Sequence, residues 1–308
     1  MQVQSPGDVV MIRPHHFRSN PETRADNAFQ KAGGADQGPA ARAEFDGVVA
    51  ALRAAGVTVH DFDDHGAETP DSVFPNNWFS THAGGHVALY PMYAENRRRE
   101  RRADVIEMLK ARYRVQDVID YSGLEHDGLA LEGTGAMVLD HIGRVAYVAR
   151  SHRADPVLLE RFCTHFNFEP IAFEAEDARG RPVYHTNVLM AIGTRVALVG
   201  LEMIRDPARR AMVRDRLTET GRDVIALSER QIEAFAGNAI ELAGREGRLL
   251  ALSARALAAL TPEQIACIED DARILPLSIP TIETAGGSVR CMIAGLHLAR
   301  RHSPEDSR

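Results

Sequence analysis

The sequence predicts an α/β fold in which five similar units pack into a closed ring or a propeller-like array. Three observations support this prediction. Hydrophobic, strand-like runs recur along the 308 residues, each beside polar or small residues. In most units a short turn and a second apolar run follow, and a helical pattern comes next. Because one unit alone would expose an apolar face, the units bury that face by packing against each other.

The strand-like runs repeat at nearly equal intervals. They are FPNNWFSTH (74–82), LEGTGAMVL (131–139), YHTNVLMAI (184–192), GNAIELA (237–243) and GGSVRCMIA (286–294). With Asn77, Glu132, Asn187, Asn238 and Cys291 as markers, the intervals are 55, 55, 51 and 53 residues. Spacing this even indicates an internal repeat.

A β-hairpin is predicted in each of the first four units. The turns AGGH, DHIGR, GTR and REGR lead into the apolar runs VALYP, VAYVA, VALVG and LLALS. Two apolar runs joined by a few turn-forming residues are typical of a hairpin. The fifth unit has only one strand, SVRCMIAGLHLA, and the N-terminal run DVVMIRP (8–14) is available to pair with it. We therefore predict that the two ends of the chain pair and close the ring.

Helical patterns separate the hairpins. They cover 39–56, 98–113, 154–166, 205–220 and 260–270, and a strand, VTVHDF (57–62), follows the first of them. Asp-Pro pairs predict the starts of the third and fourth helices, and Thr261 with Gln264 predicts a capping box. No Ser/Gly/Pro-rich linker divides the chain, so we expect one domain over 1–308. The loop 30–40 and the tail 300–308 are expected to be its most flexible parts.

Composition restricts the classes of protein that fit. The formal charge of −7 argues against a general nucleic-acid binder, which would carry a basic surface. No apolar run has the 18 or more residues of a membrane helix, and the N-terminal residues lack a signal-peptide core. Three cysteines in a chain of this length do not form a disulfide scaffold. We expect a cytoplasmic globular protein without a nucleic-acid or membrane partner.

Polar residues occupy repeat positions where a strand would favour Val, Ile or Thr. They are Asn76, Asn77, Glu132, His185, Asn187, Asn238 and Cys291. Equivalent positions in a ring of repeats lie at equivalent radii, so these side chains could converge on one central site. Because buried polar groups cost free energy unless they are satisfied, such a group indicates function.

A thiol and an imidazole are the minimum for thiol nucleophilic catalysis. In this interpretation the Cys291 thiolate attacks, His185 moves protons, and Glu132 orients that histidine or binds a substrate nitrogen. Cys163 and Cys267 lie in helical patterns and are interpreted as inert residues. The runs DFDDH (61–65) and HAGGH (82–86) are interpreted as a solvated acidic loop and a hairpin turn, so no metal is expected.

These motifs together resemble the guanidino-group-modifying enzymes with the five-fold α/β-propeller (pentein) fold. That superfamily includes arginine deiminase, dimethylarginine dimethylaminohydrolase, agmatine deiminase and the amidinotransferases. The resemblance is closest to the citrulline-utilisation hydrolase (citrulline ureidase) branch and covers nearly the whole chain, from MIRPHHFRSNPETRADNAFQ (11–30) to GGSVRCM. It implies that Cys291, His185 and Glu132 are catalytic, that Asn77 and Asn238 bind substrate, and that no cofactor is required.

Two departures from the family pattern concern the substrate. Asn77 and Asn187 stand where guanidinium-processing members commonly have Asp. A guanidinium stays protonated and requires facing carboxylates, and removing one partner of a buried charge pair costs about 3–5 kcal/mol. A neutral ureido group instead matches the oxygen and the NH2 of an amide. The two asparagines therefore favour citrulline over arginine.

The sequence thus predicts a hydrolase that converts citrulline to ornithine, ammonia and CO2 through a covalent thioester at Cys291. Either Arg13 or Arg290 is the candidate for holding the substrate α-carboxylate, and a homodimer is left open. The first alternative is a guanidino substrate with deiminase, dimethylarginine hydrolase or amidinotransferase chemistry. The second is a non-catalytic pentein-like scaffold, similar to the ribosome anti-association factor.

Overall fold

Five three-stranded sheets and ten α-helices form the part of the chain that this computed structural model describes, residues 3–31 and 37–301. The strands are β1 (Asp8–Pro14), β2 (Thr58–Asp64), β3 (Phe79–His82), β4 (His86–Leu89), β5 (Asp117–Asp120), β6 (Val138–Asp140), β7 (Val145–Ala149), β8 (Glu169–Phe173), β9 (Met190–Ile192), β10 (Val196–Val199), β11 (Asp223–Ala226), β12 (Ile240–Gly244), β13 (Gly247–Ser253), β14 (Arg273–Leu277) and β15 (Ala294–Gly295). The helices are α1 (Gly38–Ala54), α2 (Ala103–Arg112), α3 (Gly133–Ala136), α4 (Pro156–Phe166), α5 (Thr186–Leu189), α6 (Pro207–Glu219), α7 (Glu229–Glu233), α8 (Ala254–Ala259), α9 (Pro262–Glu269) and α10 (Val289–Met292).

Four of the sheets are built in the same way along the chain. The first two strands form an antiparallel hairpin, as in β3–β4, where Phe79 is paired with Leu89. At least one helix follows, and the chain returns as a third strand parallel to the second, as in β4–β5, where Val87 is paired with Val118. The sheets β6–β7–β8, β9–β10–β11 and β12–β13–β14 repeat this order. The predicted α/β fold of five units is confirmed.

The fifth sheet joins the two ends of the chain. Strand β15 pairs antiparallel with β1, with Val9 opposite Gly295 and Val10 opposite Ala294. Strand β2 pairs parallel with β1 on its other edge. The C-terminal strand therefore takes the place of the first hairpin strand in this unit, and the predicted pairing of the chain ends is confirmed.

The capping residues identified in the sequence begin the long helices. The Asp155 side chain accepts from the backbone N–H groups of Val157 and Leu158 at the start of α4, and Asp206 caps α6 in the same manner. Thr261 and Gln264 form the predicted capping box of α9. Each such cap stabilises its helix by about 1 kcal/mol.

Neighbouring units share their apolar cores. Val9 and Met11, on one face of β1, pack in the same cluster as Phe45 of α1. Val10, on the opposite face, packs in the cluster that contains Leu109 of α2. Because successive strand residues point to opposite faces, β1 is buried on both sides. This sharing fixes the position of each unit relative to the next.

Two details differ from the sequence prediction. The strands after the helices in four units, β5, β8, β11 and β14, were not predicted, because Asp, Glu, Pro and Arg residues lower their strand propensity. The polar repeat residues lie outside the strands, in or beside short turns that precede the first strand of each unit. These turns are α3, α5, α10, a 3₁₀ turn at Pro75–Asn77 and the turn at 234–237, which directly precedes Asn238.

Parts of two predicted flexible segments, 32–36 and 302–308, lie outside the described residues. The single domain over 1–308 stays a prediction. Within the segments that the structure describes, no helix combines the length and the apolar character needed to cross a membrane.

Candidate active site

The short turns bring two asparagine amides to the sulfur of Cys291. Asn187, in α5, and Asn238, just before β12, each place Nδ2 3.2 Å from the Cys291 Sγ. All three side chains are buried. Amide N–H groups directed at a sulfur stabilise negative charge on it. The two amides therefore direct N–H donors at the sulfur of the candidate nucleophile.

Both ends of the Asn238 side-chain amide form hydrogen bonds with backbone groups. Its Nδ2 also donates to the Asn187 carbonyl at 2.8 Å, and its Oδ1 accepts the backbone N–H of Arg290 at 3.1 Å. The amide therefore links the turn of α5 to the turn of α10. This link positions Asn187 and Cys291 relative to each other.

His185 and Glu132 form the second half of the cluster. The His185 Nε2 lies 2.8 Å from the Glu132 Oε2, and both side chains are buried. Burial lowers the pKa of His185 to about 4, although the Glu132 carboxylate opposes this shift. The other ring nitrogen, Nδ1, makes no hydrogen bond to any described residue, so it is available to exchange a proton with a substrate.

Glu132 stays ionised because two buried arginines face it. Burial alone would raise its pKa, but Arg153, His185 and Arg97 together hold that pKa well below the usual range. Both guanidinium groups place NH1 3.5 Å from Oε2 of Glu132. Arg153 also pairs with Asp26 at 2.5 Å and lies over the Tyr184 ring.

Arg97 connects further acidic groups to this network. It binds both oxygens of Glu100 at 2.9 Å and lies 3.7 Å from Asp71. Burial raises the pKa of Asp71, and it raises that of Glu100 to about 7, while Arg97 opposes both shifts. Asp71 Oδ1 is buried without a hydrogen-bond partner among the described residues. It is therefore an acceptor available to a bound cation.

Asn77 contacts an arginine of the protein itself. In the orientation that satisfies both ends of its amide, the oxygen accepts from Arg97 at 3.0 and 3.1 Å and the nitrogen donates to Asn76 at 3.3 Å. Gly135 makes this packing possible, because a Cβ there would overlap the Asn77 amide and lie 2.8 Å from His185 Nδ1. Asn77 thus fixes the Arg97 guanidinium within the cluster.

Part of this cluster borders a narrow cavity. Its lining is Thr23, Asn27, Asp71, Phe74, Asn77, Arg97, Arg153, Tyr184, His185, Ala285, Gly287 and Cys291. The free space of about 10 Å³ is the volume that one water molecule requires. An amino acid can enter only if some of these walls move.

The structure does not bring Arg13 to the cluster. Its guanidinium pairs with Asp46, Asp61 and Asp63 at 2.7–2.9 Å, and it does not line the cavity. The expectation that it holds a substrate carboxylate is corrected by this position, because Arg13 lies outside the cavity that His185 and Cys291 line. The run 61–65, predicted as a solvated loop, lies mostly in β2, although Asp63 and His65 are exposed as expected.

Sequence reasoning missed Arg97 and Arg153. Arg97 lies in the run NRRRERR, which reads as a solvated charge run, and Arg153 lies in the loop after β7. One signal was present: each arginine follows the second hairpin strand of its unit. The other two cysteines lie in α4 and α9 as predicted, and burial raises the pKa of Cys163 to about 12.

The comparison with protein families agrees with this geometry. The model of the family described as "N,N dimethylarginine dimethylhydrolase, eukaryotic" matches residues 13–298. The chain belongs to this family. The membership confirms the predicted guanidino-modifying (pentein) superfamily and the predicted class of hydrolase, which acts on C–N bonds. The family match does not distinguish the predicted citrulline branch from other members. The comparison with curated protein sequences found no match.

Solved structures share the fold at low sequence identity. ArgZ, an arginine dihydrolase from the ornithine–ammonia cycle in cyanobacteria, has a TM-score of 0.74 at 16% identity over 97% of this chain and 41% of that chain. This chain therefore spans less than half of that ArgZ chain. The N-terminal domain of ArgZ, in a Cys-to-Ser variant bound to substrate, gives 0.74 at 15% identity over 94% and 99%. DDAH from Pseudomonas aeruginosa, complexed with citrulline, gives 0.65 at 14% over 94% and 99%.

Proposed function

We propose that this protein hydrolyses the ureido group of citrulline to ornithine, ammonia and CO2 through a covalent thioester at Cys291. One observation carries the choice of substrate. Asn187 Oδ1 is buried, lies on the amide that contacts Cys291, and accepts no hydrogen bond from the described residues. A neutral ureido NH2 is a donor that matches this oxygen without adding charge.

The reaction begins with proton transfer to His185. Because Glu132 is ionised, His185 Nε2–H donates to it and Nδ1 is the basic nitrogen. Nδ1 takes the thiol proton, and the Cys291 thiolate attacks the ureido carbon to form a tetrahedral adduct. The imidazolium, stabilised by Glu132, then returns the proton to the departing amine.

The second half of the reaction releases the carbamoyl group. His185 removes a proton from water, which attacks the thioester and regenerates the thiol. The carbamate that leaves decomposes to CO2 and ammonia. One water is consumed for each citrulline, and every proton passes through His185.

The amino-acid end of the substrate requires groups of opposite charge. Arg97 and Arg153 are the cationic side chains that line the cavity, and they replace Arg13 as candidates for the α-carboxylate. Asp71 Oδ1, which has no partner, is suited to the α-ammonium group. The proposed ligand is therefore a zwitterionic amino acid.

A guanidino substrate is the second candidate. The observation that favours it is the same Asp71 oxygen, which could receive a guanidinium, together with the ionised Glu132. The matched family is described by dimethylarginine hydrolysis, and the structurally similar ArgZ is an arginine dihydrolase. In a deiminase or dimethylarginine hydrolase reaction citrulline is a product rather than a substrate, whereas an amidinotransferase moves the amidino group to an acceptor amine.

A substrate panel separates the two candidates. Purified protein is incubated with citrulline, arginine, methylated arginines and agmatine, and ornithine, citrulline and ammonia are quantified. We expect ornithine and ammonia from citrulline, no turnover by Cys291→Ala, and full turnover by the control Cys267→Ala, whose thiol lies in α9. Citrulline formed from a guanidino substrate, with no ornithine from citrulline, would contradict the proposal.

A further inference from the structure

A second cavity lies on the axis of the ring, distinct from the one at Cys291. Residues from the first strand of all five units line it, in β3, β6, β9, β12 and β15. The catalytic candidates precede these same strands, so the second cavity lies behind them along the axis. The two cavities share no lining residue.

The axial cavity contains a guanidinium without an anionic partner. Arg290, the residue before Cys291, lines the cavity and donates through NH1 to the Ile293 carbonyl at 2.9 Å. Among residues 3–31 and 37–301 no carboxylate lies within ion-pair distance of it. An arginine has five N–H donors in a planar fork, which matches a carboxylate or phosphate group.

The other titratable groups that line the cavity form no ion pair with Arg290 among the described residues. His141 and His297 stack with ring centroids 3.8 Å apart and make no side-chain hydrogen bond to a described residue. Glu241 also lines the cavity, but its oxygens accept from Ser5 and from the backbone and hydroxyl of Thr194. Burial lowers the pKa of Arg290 to about 10, with only the neighbouring Cys291 opposing the shift. Arg290 therefore stays charged near neutral pH.

The size of the cavity limits the ligand. Its free space of about 50 Å³ fits a few water molecules, which is enough for one small anion and too little for an amino acid. A third cavity, of about 290 Å³, shares Pro6, His141 and His297 with the axial cavity. Cys291 lines neither of these two cavities, so the larger one is the proposed entry route for a small ion.

We propose that the axial cavity binds a small oxyanion, which Arg290 holds through its free N–H groups. Inorganic phosphate and bicarbonate share the required chemistry, namely a compact anion with oxygens that accept from a guanidinium fork. This site is separate from the cavity at Cys291. Oxyanion binding in the axial cavity therefore does not depend on which amino acid the enzyme hydrolyses.

Titration calorimetry at constant ionic strength tests the site. Phosphate and bicarbonate are titrated separately into the intact protein, with chloride as the reference anion. We expect saturable binding of one oxyanion per chain, and we expect Arg290→Gln to weaken it about tenfold or more, since hydrogen bonds to charged groups contribute about 1.5–3 kcal/mol. The control Arg209→Gln, on the exposed surface of α6, is expected to bind as the unmodified protein does.

A second variant covers the case in which Arg290→Gln fails to fold. His297→Glu places a carboxylate beside Arg290, and we expect this internal anion to displace the oxyanion while circular dichroism remains unchanged. Tighter binding of phosphate than of bicarbonate, or the reverse, identifies the natural class of ligand and supports the site. The proposal is overturned if neither anion binds more tightly than chloride, or if folded Arg290→Gln binds as well as the unmodified protein.

Discussion

The side-chain nitrogen of Asn238 lies 3.2 Å from the sulfur of Cys291. These two residues belong to different repeat units, and they meet because each lies immediately before the first strand of its unit. Residues regularly spaced in the sequence are thus brought together at the candidate active site.

Replacing Asn238 tests the stabilisation of the nucleophile. Asn238→Ala removes an N–H donor to Sγ, and the loss of a hydrogen bond to a charged atom is expected to slow turnover about 10- to 100-fold. Asn238→Asp keeps the shape but directs a carboxylate at the thiolate, so we expect a larger loss. Alkylation of Cys291 by iodoacetamide at neutral pH measures the effect without any substrate. Equal alkylation rates in all three proteins would show that the amide does not support the thiolate.

A change of charge at Asn187 tests the preference for a ureido group. Asn187→Asp replaces the unpartnered Oδ1 with a carboxylate oxygen in the same place. We expect kcat/KM for citrulline to fall and the ratio of guanidino to ureido turnover to rise, because a guanidinium gains a counter-charge. Steady-state kinetics with citrulline and arginine measure this ratio. A ratio that does not rise would argue against the role of the amide in substrate choice.

Gly135 gives a steric prediction that does not depend on charge. In Gly135→Ala the new Cβ would overlap the Asn77 amide and approach His185, so one of them must move. We expect a loss of about 100-fold or more in turnover, because a misplacement of about 1 Å has that effect on an ordered site. The matched control is Gly123→Ala, where the structure leaves open space for a Cβ. The two variants are compared in turnover and in thermal unfolding, and similar losses in both would refute the prediction.

The buried His185 predicts a pH dependence of stability. Its pKa is about 4 in the folded protein against 6.5 for the free side chain, so the unfolded chain binds the extra proton between these values. The contribution of His185 to stability is therefore fully present above about pH 6.5 and is lost as the pH falls towards 4. A shift of this size corresponds to about 3 kcal/mol.

Urea unfolding between about pH 4 and pH 7 measures this contribution. We expect the free energy of unfolding of His185→Gln to fall less steeply with decreasing pH than that of the unmodified protein. His126→Gln, on an exposed turn, serves as the control and is expected to follow the unmodified protein. Parallel curves for His185→Gln and the unmodified protein would contradict the assignment.

Most of the fold could be predicted from the sequence repeat, because hairpins and helix caps depend on residues that are close together in the chain. The hairpins, the Asp155 cap and the Thr261 capping box could be read from short segments, and so could the pairing of the chain ends. The third strands could not, because they are held by pairing with a central strand rather than by their own composition. Strand β5, for example, has the sequence DVID.

The site was predictable where a residue sits at a repeat position and not elsewhere. Cys291, Asn187 and Asn238 occupy such positions, and the structure brings them together. Arg97 and Arg153 reach Glu132 only through long side chains that start from loops, so no spacing rule reveals them. The wrong prediction for Arg13 could not be avoided from the sequence, because its ion pairs with three aspartates depend on how β1, β2 and α1 pack.

The pairing of β1 with β15 has a consequence for reactivity. Cys291 lies only three residues before β15, which is attached to β1 through two residue pairs. The N-terminal strand therefore supports the segment that carries the nucleophile. If this short contact opens, the sulfur loses its fixed distance from the two amides before the rest of the ring unfolds. Loss of activity on mild destabilisation is then expected to precede loss of secondary structure.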